Sequence, residues 1–283
     1  MSIIKERIKI NYDFISKFNI VKMKKYFLVL LLLPSLAFAN TDVDPSIDES
    51  KITTALHPKK MKWEFDGFFG RFDRASIQRG YQVYKEVCSA CHGMKLMSYR
   101  NLQDIGFSEA EVKNIASEYL ITDGPNDDGE MFERPGLPSD KFVGPYANEQ
   151  SARSANGGAY PPDLSLIIKA RHDGANYVYS LLNGYKDAPE GFELAVGKNY
   201  NPYFEGRQIA MPSPINDDGQ VEYKDGTIAT KEQMTIDVVN FLQYASEPEL
   251  EHRKKMGVRT MIFLGILFGL LLSAKRAIWK NVK

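Results

Sequence analysis

Cys88-Ser89-Ala90-Cys91-His92 is the stretch on which the reading of this chain turns. These are the only two cysteines in the 283 residues, set two residues apart and followed at once by a histidine. That spacing is the attachment pattern of c-type haem. Each thiol adds to one vinyl group of a porphyrin, so the two sulfurs must reach neighbouring edges of one ring. One helical turn with two spacer residues allows it. The next residue then points its imidazole at the iron as the proximal ligand. A zinc site needs three or four ligands, and no second cysteine pair exists to supply them. A dithiol redox pair belongs in a βαβ setting, which is absent here. A structural disulfide is the bland alternative. The export signal described next favours haem, because it carries the motif to where haem attachment occurs.

The chain is long enough for one domain of ordinary size plus appendages, and 43% hydrophobic residues suffice for a core. A formal net charge of zero conceals an asymmetry. Residues 1–39 carry seven Lys/Arg against two Asp/Glu, and residues 252–283 carry eight Lys/Arg and no acid. The body between them, 40–251, has 21 basic and 34 acidic residues. An acidic body excludes a nucleic-acid-binding surface and suits the steering of a basic protein partner at low salt. The same charge also serves solubility alone.

Lys22, Lys24 and Lys25, the short apolar run Tyr26 to Leu33, and Ala37-Phe38-Ala39 before Asn40 read as a secretory signal over 1–39. Met23 would start a compact signal by itself and is an alternative translation start. The haem domain is then 40–250, outside the cytoplasm, and 251–283 forms a C-terminal anchor with a short cytoplasmic tail. Met261 to Ala274 contains no charge. Fourteen helical residues rise only about 21 Å, against a hydrocarbon layer of roughly 30 Å. Val258 and Ile278 extend the span if Arg259, Lys275 and Arg276 snorkel, and Trp279 suits an interfacial position.

Within the body, residues 40–72 read as an extended lead-in whose Phe65, Phe68, Phe69 and Phe72 are packing residues. Asp73 N-caps a helix running to the haem motif, with Ile77, Gly80, Tyr81, Tyr84 and Cys88 on one face. Gly80 in mid-helix implies close contact with a second helix, the one opening at the capping box Thr230-Lys231-Glu232-Gln233. Ser108-Glu109-Ala110-Glu111 opens a short helix reaching about Leu120. Thr122 to Pro162 reads as a long loop with an acidic cluster, Asp123, Asp127, Asp128, Glu130 and Glu133. The cluster lacks calcium-loop spacing and offers a docking surface for a basic partner. Leu164 to Tyr185 reads as helical with a break at His172-Asp173-Gly174.

The far face of the iron needs a sixth ligand, and Met there raises the potential. Met94 and Met97 follow His92 too closely to reach it. Met234 belongs to a core helix, and Met256 and Met261 to the membrane approach. Met131 and Met211 remain, and the stiff setting Ile209-Ala210-Met211-Pro212-Ser213-Pro214 favours Met211. His57 and His172 read as loop histidines, and His252 sits in the basic membrane-proximal cluster.

Several blocks together resemble one family. They are Arg79-Gly80-Tyr81-Gln82-Val83-Tyr84, Asp123-Gly124-Pro125-Asn126-Asp127-Asp128-Gly129-Glu130-Met131-Phe132, Pro161-Pro162-Asp163-Leu164-Ser165, Asn201-Pro202-Tyr203-Phe204, Ile209-Ala210-Met211-Pro212 and Ala245-Ser246-Glu247-Pro248-Glu249. Over about residues 55–280 the chain is similar to the cytochrome c1 family, the haem subunits of quinol–cytochrome c reductase (bc1) complexes. The resemblance implies a mainly α, class I cytochrome c-like haem domain with long loops, plus one C-terminal transmembrane helix. It implies one haem c bound through Cys88 and Cys91, with His92 as proximal and Met211 as distal ligand. It places Arg171 near a haem propionate, Tyr84 and Tyr177 beside the haem, and Pro161 and Pro162 along its edge. Some bacterial relatives carry a further cysteine pair, thought to form a disulfide near the distal ligand; this chain has none.

The implied role is transfer of one electron from a Rieske iron–sulfur protein to a c-type cytochrome. The subunit would work beside cytochrome b, in a dimeric complex, in a bacterial inner membrane with the haem domain in the periplasm. The quinol chemistry would lie on cytochrome b, so the chain is an electron-transfer subunit of an enzyme and not a catalyst itself. A free-standing membrane-anchored cytochrome c serving an oxidase is the alternative. A haem enzyme such as a peroxidase would require an open sixth position, and a non-redox anchor protein is a third reading.

Overall fold

The computed structural model describes residues 54–281, so the expected signal over 1–39 and the start at Met23 lie outside the described residues. The described chain is mainly helical, with two small antiparallel strand pairs. Helix α1 spans Arg74–Val83, N-capped by the Asp73 carboxylate on the amide of Ala75. Its last turn, Tyr84–Cys88, widens into a π-helical turn in which the Ser89 amide donates to the Tyr84 carbonyl at 2.8 Å. The expected helical face is kept through Tyr84, whereas Cys88 is only partly buried. Such π-turns recur at functional sites. A 3-10 turn at Tyr99–Ile105 leads to α2, Glu109–Ser117, where Ser108 and Glu111 form the full reciprocal capping box.

Thr122 to Pro162 is more ordered than a loop. Strands β1, Leu120–Asp123, and β2, Phe132–Pro135, pair in register from Leu120 opposite Pro135 to Asp123 opposite Phe132. Arg134 locks this hairpin by bridging Asp123 at 2.5 Å and Asp140 at 2.6 Å. Those hydrogen bonds hold both carboxyls below the usual carboxylate range. The acidic tip, with Asp127, Asp128 and Glu130, is exposed. Helix α3, Glu149–Ala155, follows under an Asn148 cap.

Leu164 to Ala170 is not helical. The Leu164 amide donates to the Gly93 carbonyl, and the segment runs on as a continuous series of turns, one closed by the Ala170 amide on the Leu166 carbonyl at 2.9 Å. Asp173, at φ 60°, breaks the chain before α4, Gly174–Asn183. Strands β3, Asn199–Tyr200, and β4, Gln208–Ile209, form the second pair. Helix α5 spans Lys231–Ser246. Thr230 caps the Gln233 amide as expected, but the reciprocal bond does not form. The Gln233 side chain turns inward to the Asp237 carboxylate at 3.0 Å. Helix α6, Leu250–Trp279, is 30 residues of unbroken helix, long and apolar enough to cross a membrane.

The core lies where α1 crosses α5. A Cβ on Gly80 would sit 1.9 Å from the Asp237 carbonyl oxygen and 2.8 Å from the Phe241 Cβ. The missing side chain is what lets the two backbones approach. Beside the crossing, the fully buried Asp237 accepts hydrogen bonds from Ser76 at 2.6 Å and Arg79 at 2.9 and 3.0 Å. A buried carboxylate is tolerable only with such complete pairing. Ile77, Tyr81, Val238 and Phe241 fill the surrounding apolar layer. Phe65 and Phe72 join it, but Phe68 and Phe69 do not, being 57% and 80% exposed.

Gly80→Ala drives its new methyl into backbone, which cannot turn aside as a side chain could. We expect a loss of about 1–3 kcal/mol or more in thermal or denaturant unfolding. Gly144→Ala, with nothing within 4 Å of its Cβ, should leave stability unchanged.

Candidate functional site

The motif follows directly from the π-turn. The amides of Cys91 and His92 both donate to the Cys88 carbonyl, at 3.1 and 2.9 Å, so the chain coils back once between the thiols. No disulfide joins the two cysteines. Burial, with a smaller contribution from the neighbouring Cys91, pushes the Cys88 thiol up to about 12. The Tyr84 hydroxyl lies beneath this coil, 3.3 Å from the His92 carbonyl, and its ring packs on Phe142 and Phe241.

His92 is oriented from outside the motif. Its Nδ1 lies 2.7 Å from the Pro162 carbonyl oxygen. A carbonyl only accepts, so Nδ1 carries the proton and Nε2 keeps its lone pair for a metal. Burial lowers the His92 pKa, partly offset by the bond to Pro162, and so favours this neutral form.

Three cross-links place Pro162 there. The Leu164 amide donates to the Gly93 carbonyl at 2.9 Å, the Lys95 amide to Asp163 at 2.8 Å, and the Leu96 amide to Ser165 Oγ at 3.0 Å. Asp163 also accepts the Ser165 amide at 2.9 Å, which sets the turn. In the sequence, Asp163 and Ser165 stand out only as members of the block Pro161-Pro162-Asp163-Leu164-Ser165. A local Asx turn was readable there; its partners 68 and 69 residues away were not.

Arg171 and Tyr177 form a second group. Burial raises the Tyr177 hydroxyl pKa, and the Arg171 guanidinium beside it opposes that shift. Arg171 is exposed, with Nη1 donating to the Ala170 carbonyl at 3.1 Å.

Met211 follows β4 by two residues and packs half-buried against the core. Its carbonyl accepts from the Tyr185 hydroxyl at 3.2 Å and from Asn199 Nδ2 at 3.3 Å. Asn201 ties the same loop to α4 by donating to the Leu181 carbonyl at 2.8 Å. Neither Tyr185 nor Asn199 carried a recognisable motif. By contrast, Met131 is 61% exposed beside the hairpin tip, and Met94, Met97 and Met234 are buried in the core. His57 and His172 are exposed loop residues.

The donor set fits a c-type haem: two thiols one coil apart, a histidine with its metal-facing nitrogen open, and a thioether on a separately anchored loop.

The chain matches the Cytochrome C1 family over residues 63–282. It is 50% identical over 245 residues to a cytochrome c1 of Rhodospirillum rubrum, covering 81% of this chain and 89% of the relative. It is 50% identical over 238 residues to the mitochondrial "Cytochrome c1 1, heme protein" of Arabidopsis thaliana, covering 84% and 76%. It is 50% identical over 229 residues to the mitochondrial "Cytochrome b-c1 complex catalytic subunit" of Candida albicans, covering 81% and 79%.

Asp163→Ala removes the acceptor for two backbone amides at a half-buried position. A loss of about 1–3 kcal/mol is expected, by the usual cost of leaving such donors unpaired. Denaturant unfolding monitored at the haem band measures it, and Lys95→Ala, which keeps its amide, should be close to neutral.

Proposed function

The chain belongs to the cytochrome c1 family, and from that premise we propose how its residues build a membrane-anchored electron carrier of a bc1 complex. The haem supplies the one-electron couple when bound. Cys88 and Cys91 would hold it through thioether bonds, and His92 and Met211 would supply the nitrogen and sulfur donors to its iron. The observation that carries this reading is the bond between His92 Nδ1 and the Pro162 carbonyl. It fixes the tautomer a proximal ligand needs and steers the ring from a segment remote in sequence.

On the distal side, Tyr185 and Asn199 hold the Met211 carbonyl and so fix the base of its side chain. A thioether so placed favours the reduced state and raises the potential. Arg171 pairs with a propionate, and Tyr84, Tyr177 and Pro162 line the pocket and limit water. The protein accepts one electron from a Rieske iron–sulfur protein and passes it to a c-type cytochrome. Cytochrome b is its neighbour in the membrane, and the complex is a dimer. The acidic hairpin tip and the negative body steer a basic acceptor. Helix α6 is the single membrane span. Read as a secretory signal, residues 1–39 would put the haem domain on the periplasmic side of a bacterial inner membrane. The domain boundaries follow, with 40–250 as haem domain and 251–283 as anchor and tail.

Met211→Leu removes the thioether with little change of volume. The midpoint potential should fall markedly within the roughly 0.8 V range that axial ligation covers, with a changed oxidised spectrum. An unchanged potential would remove Met211 from the ligand set.

Purification of a tagged copy from membranes in mild detergent tests the assembly. Co-purifying b-type haem, a Rieske paramagnetic resonance signal and quinol-dependent cytochrome c reduction are expected. Haem c alone, where a control complex stays intact, would indicate a free-standing carrier.

A further inference from the structure

We propose that the turn Gly67-Phe68-Phe69-Gly70 is a lipid-facing foot, which seats the haem domain on the membrane by inserting its two rings among anionic headgroups beside α6. The inference rests on the reading of α6 as the membrane span.

A lone exposed apolar side chain, such as Val196 or Ile228, needs no explanation. Phe68 and Phe69 differ in being adjacent and held as a pair. Their rings meet edge-to-face at 5.1 Å between centroids while staying 57% and 80% exposed. The backbone beneath them is specialised for display. Gly67 adopts φ +70°, and a Cβ on Gly70 would lie 2.0 Å from the Asp66 carbonyl oxygen. The Arg71 amide closes the base of the turn on the Glu64 carbonyl at 2.9 Å. Below it, Phe65 stacks on Trp63 at 5.5 Å and meets Phe72 at 6.1 Å, all three buried. The same segment thus buries three aromatic rings and holds the other two out.

The turn is also fastened to the start of α6. Lys254 Nζ donates to the Phe65 and Gly70 carbonyls at 2.5 and 3.3 Å. Glu251 accepts the Phe72 amide at 2.9 Å and pairs with Arg74 at 2.9 Å. Phe68 and Phe69 line one cleft with Lys255 and Val258 of α6. Val258 precedes Met261 by three residues, about 4.5 Å along the axis. The charge-free run Met261 to Ala274 covers about 21 Å of a layer near 30 Å, and a shortfall shared between its two ends reaches about 4.5 Å toward Val258. The rings therefore stand at the level of the bilayer edge, the depth at which aromatic side chains gather. Exposed Arg71 and Lys255 line the cleft beside the rings, with exposed Glu64 and Asp66 on the other flank of the turn, and the two cations are the groups that would meet anionic headgroups.

The test places photoreactive p-benzoylphenylalanine at position 69, and separately at 68, in the full chain in its native membrane. Positions 267 in α6 and 196 on the haem domain serve as controls. Normal haem content establishes folding, and mass spectrometry identifies adducts after illumination. Phospholipid adducts at 68 or 69 and at 267, with none at 196, are expected, with phosphatidylglycerol or cardiolipin enriched over phosphatidylethanolamine. Adducts to a neighbouring protein subunit at 68 and 69, or no adduct there while 267 labels lipid, would overturn the foot. Enrichment of neutral lipid would overturn its charge selectivity. Failure of 267 to label lipid would instead overturn the reading of α6.

Discussion

The structure depends on a contact made by an absent side chain. At Gly80 the backbone of α1 meets the Asp237 carbonyl of α5 at a distance no Cβ would permit. Once the helices are that close, Asp237 is buried and must be fully paired, and Ser76, Arg79 and Gln233 supply the donors. Close packing and a satisfied charge make the crossing specific as well as strong, since a shifted register would strand the carboxylate. The haem motif begins about two turns beyond this crossing. Its position is inherited from the most constrained point of the core.

The two residues proposed as haem ligands are held by different means. His92 is positioned by short-range coiling from Cys88 and by a zipper between 93–96 and 163–165 that delivers the Pro162 carbonyl. Met211 is positioned through its backbone, by a tyrosine and an asparagine that converge on one carbonyl. Prolines, a two-residue strand pair and those two hydrogen bonds stiffen the Met211 loop. Side-chain hydrogen bonds break more readily than covalent ones, so the distal side is where this chain is most open to tuning.

Helix α6 and the lead-in are one mechanical unit. Glu251 and Lys254 bind the backbone between Phe65 and Phe72, so the path from membrane span to core runs through hydrogen bonds and not through a free linker. A domain held in this way cannot swing freely about the start of α6.

Chemistry was legible in the residues themselves. The cysteine pair with its histidine, the acidic body between basic ends, the terminal apolar run and the methionine between prolines each signal through local composition or spacing. Gly80 announced a close crossing because mid-helix glycine is otherwise a cost. The sequence therefore determined the cofactor class, the anchor and the helical frame. Tertiary structure alone decided which side chains serve those parts. The segment from Leu164 forms turns where a helix was expected, and its first residues are bonded to partners some 70 positions away. Gln233 left its capping box for a buried carboxylate that local patterns could not reveal. Phe68 and Phe69, apolar by composition, face outward because the turn holding them is tied to the start of α6. In the last two cases long-range hydrogen bonding overrode a local preference worth a kcal/mol or so. A sequence window does not contain its distant partners, and that is why these residues could be read only from the fold.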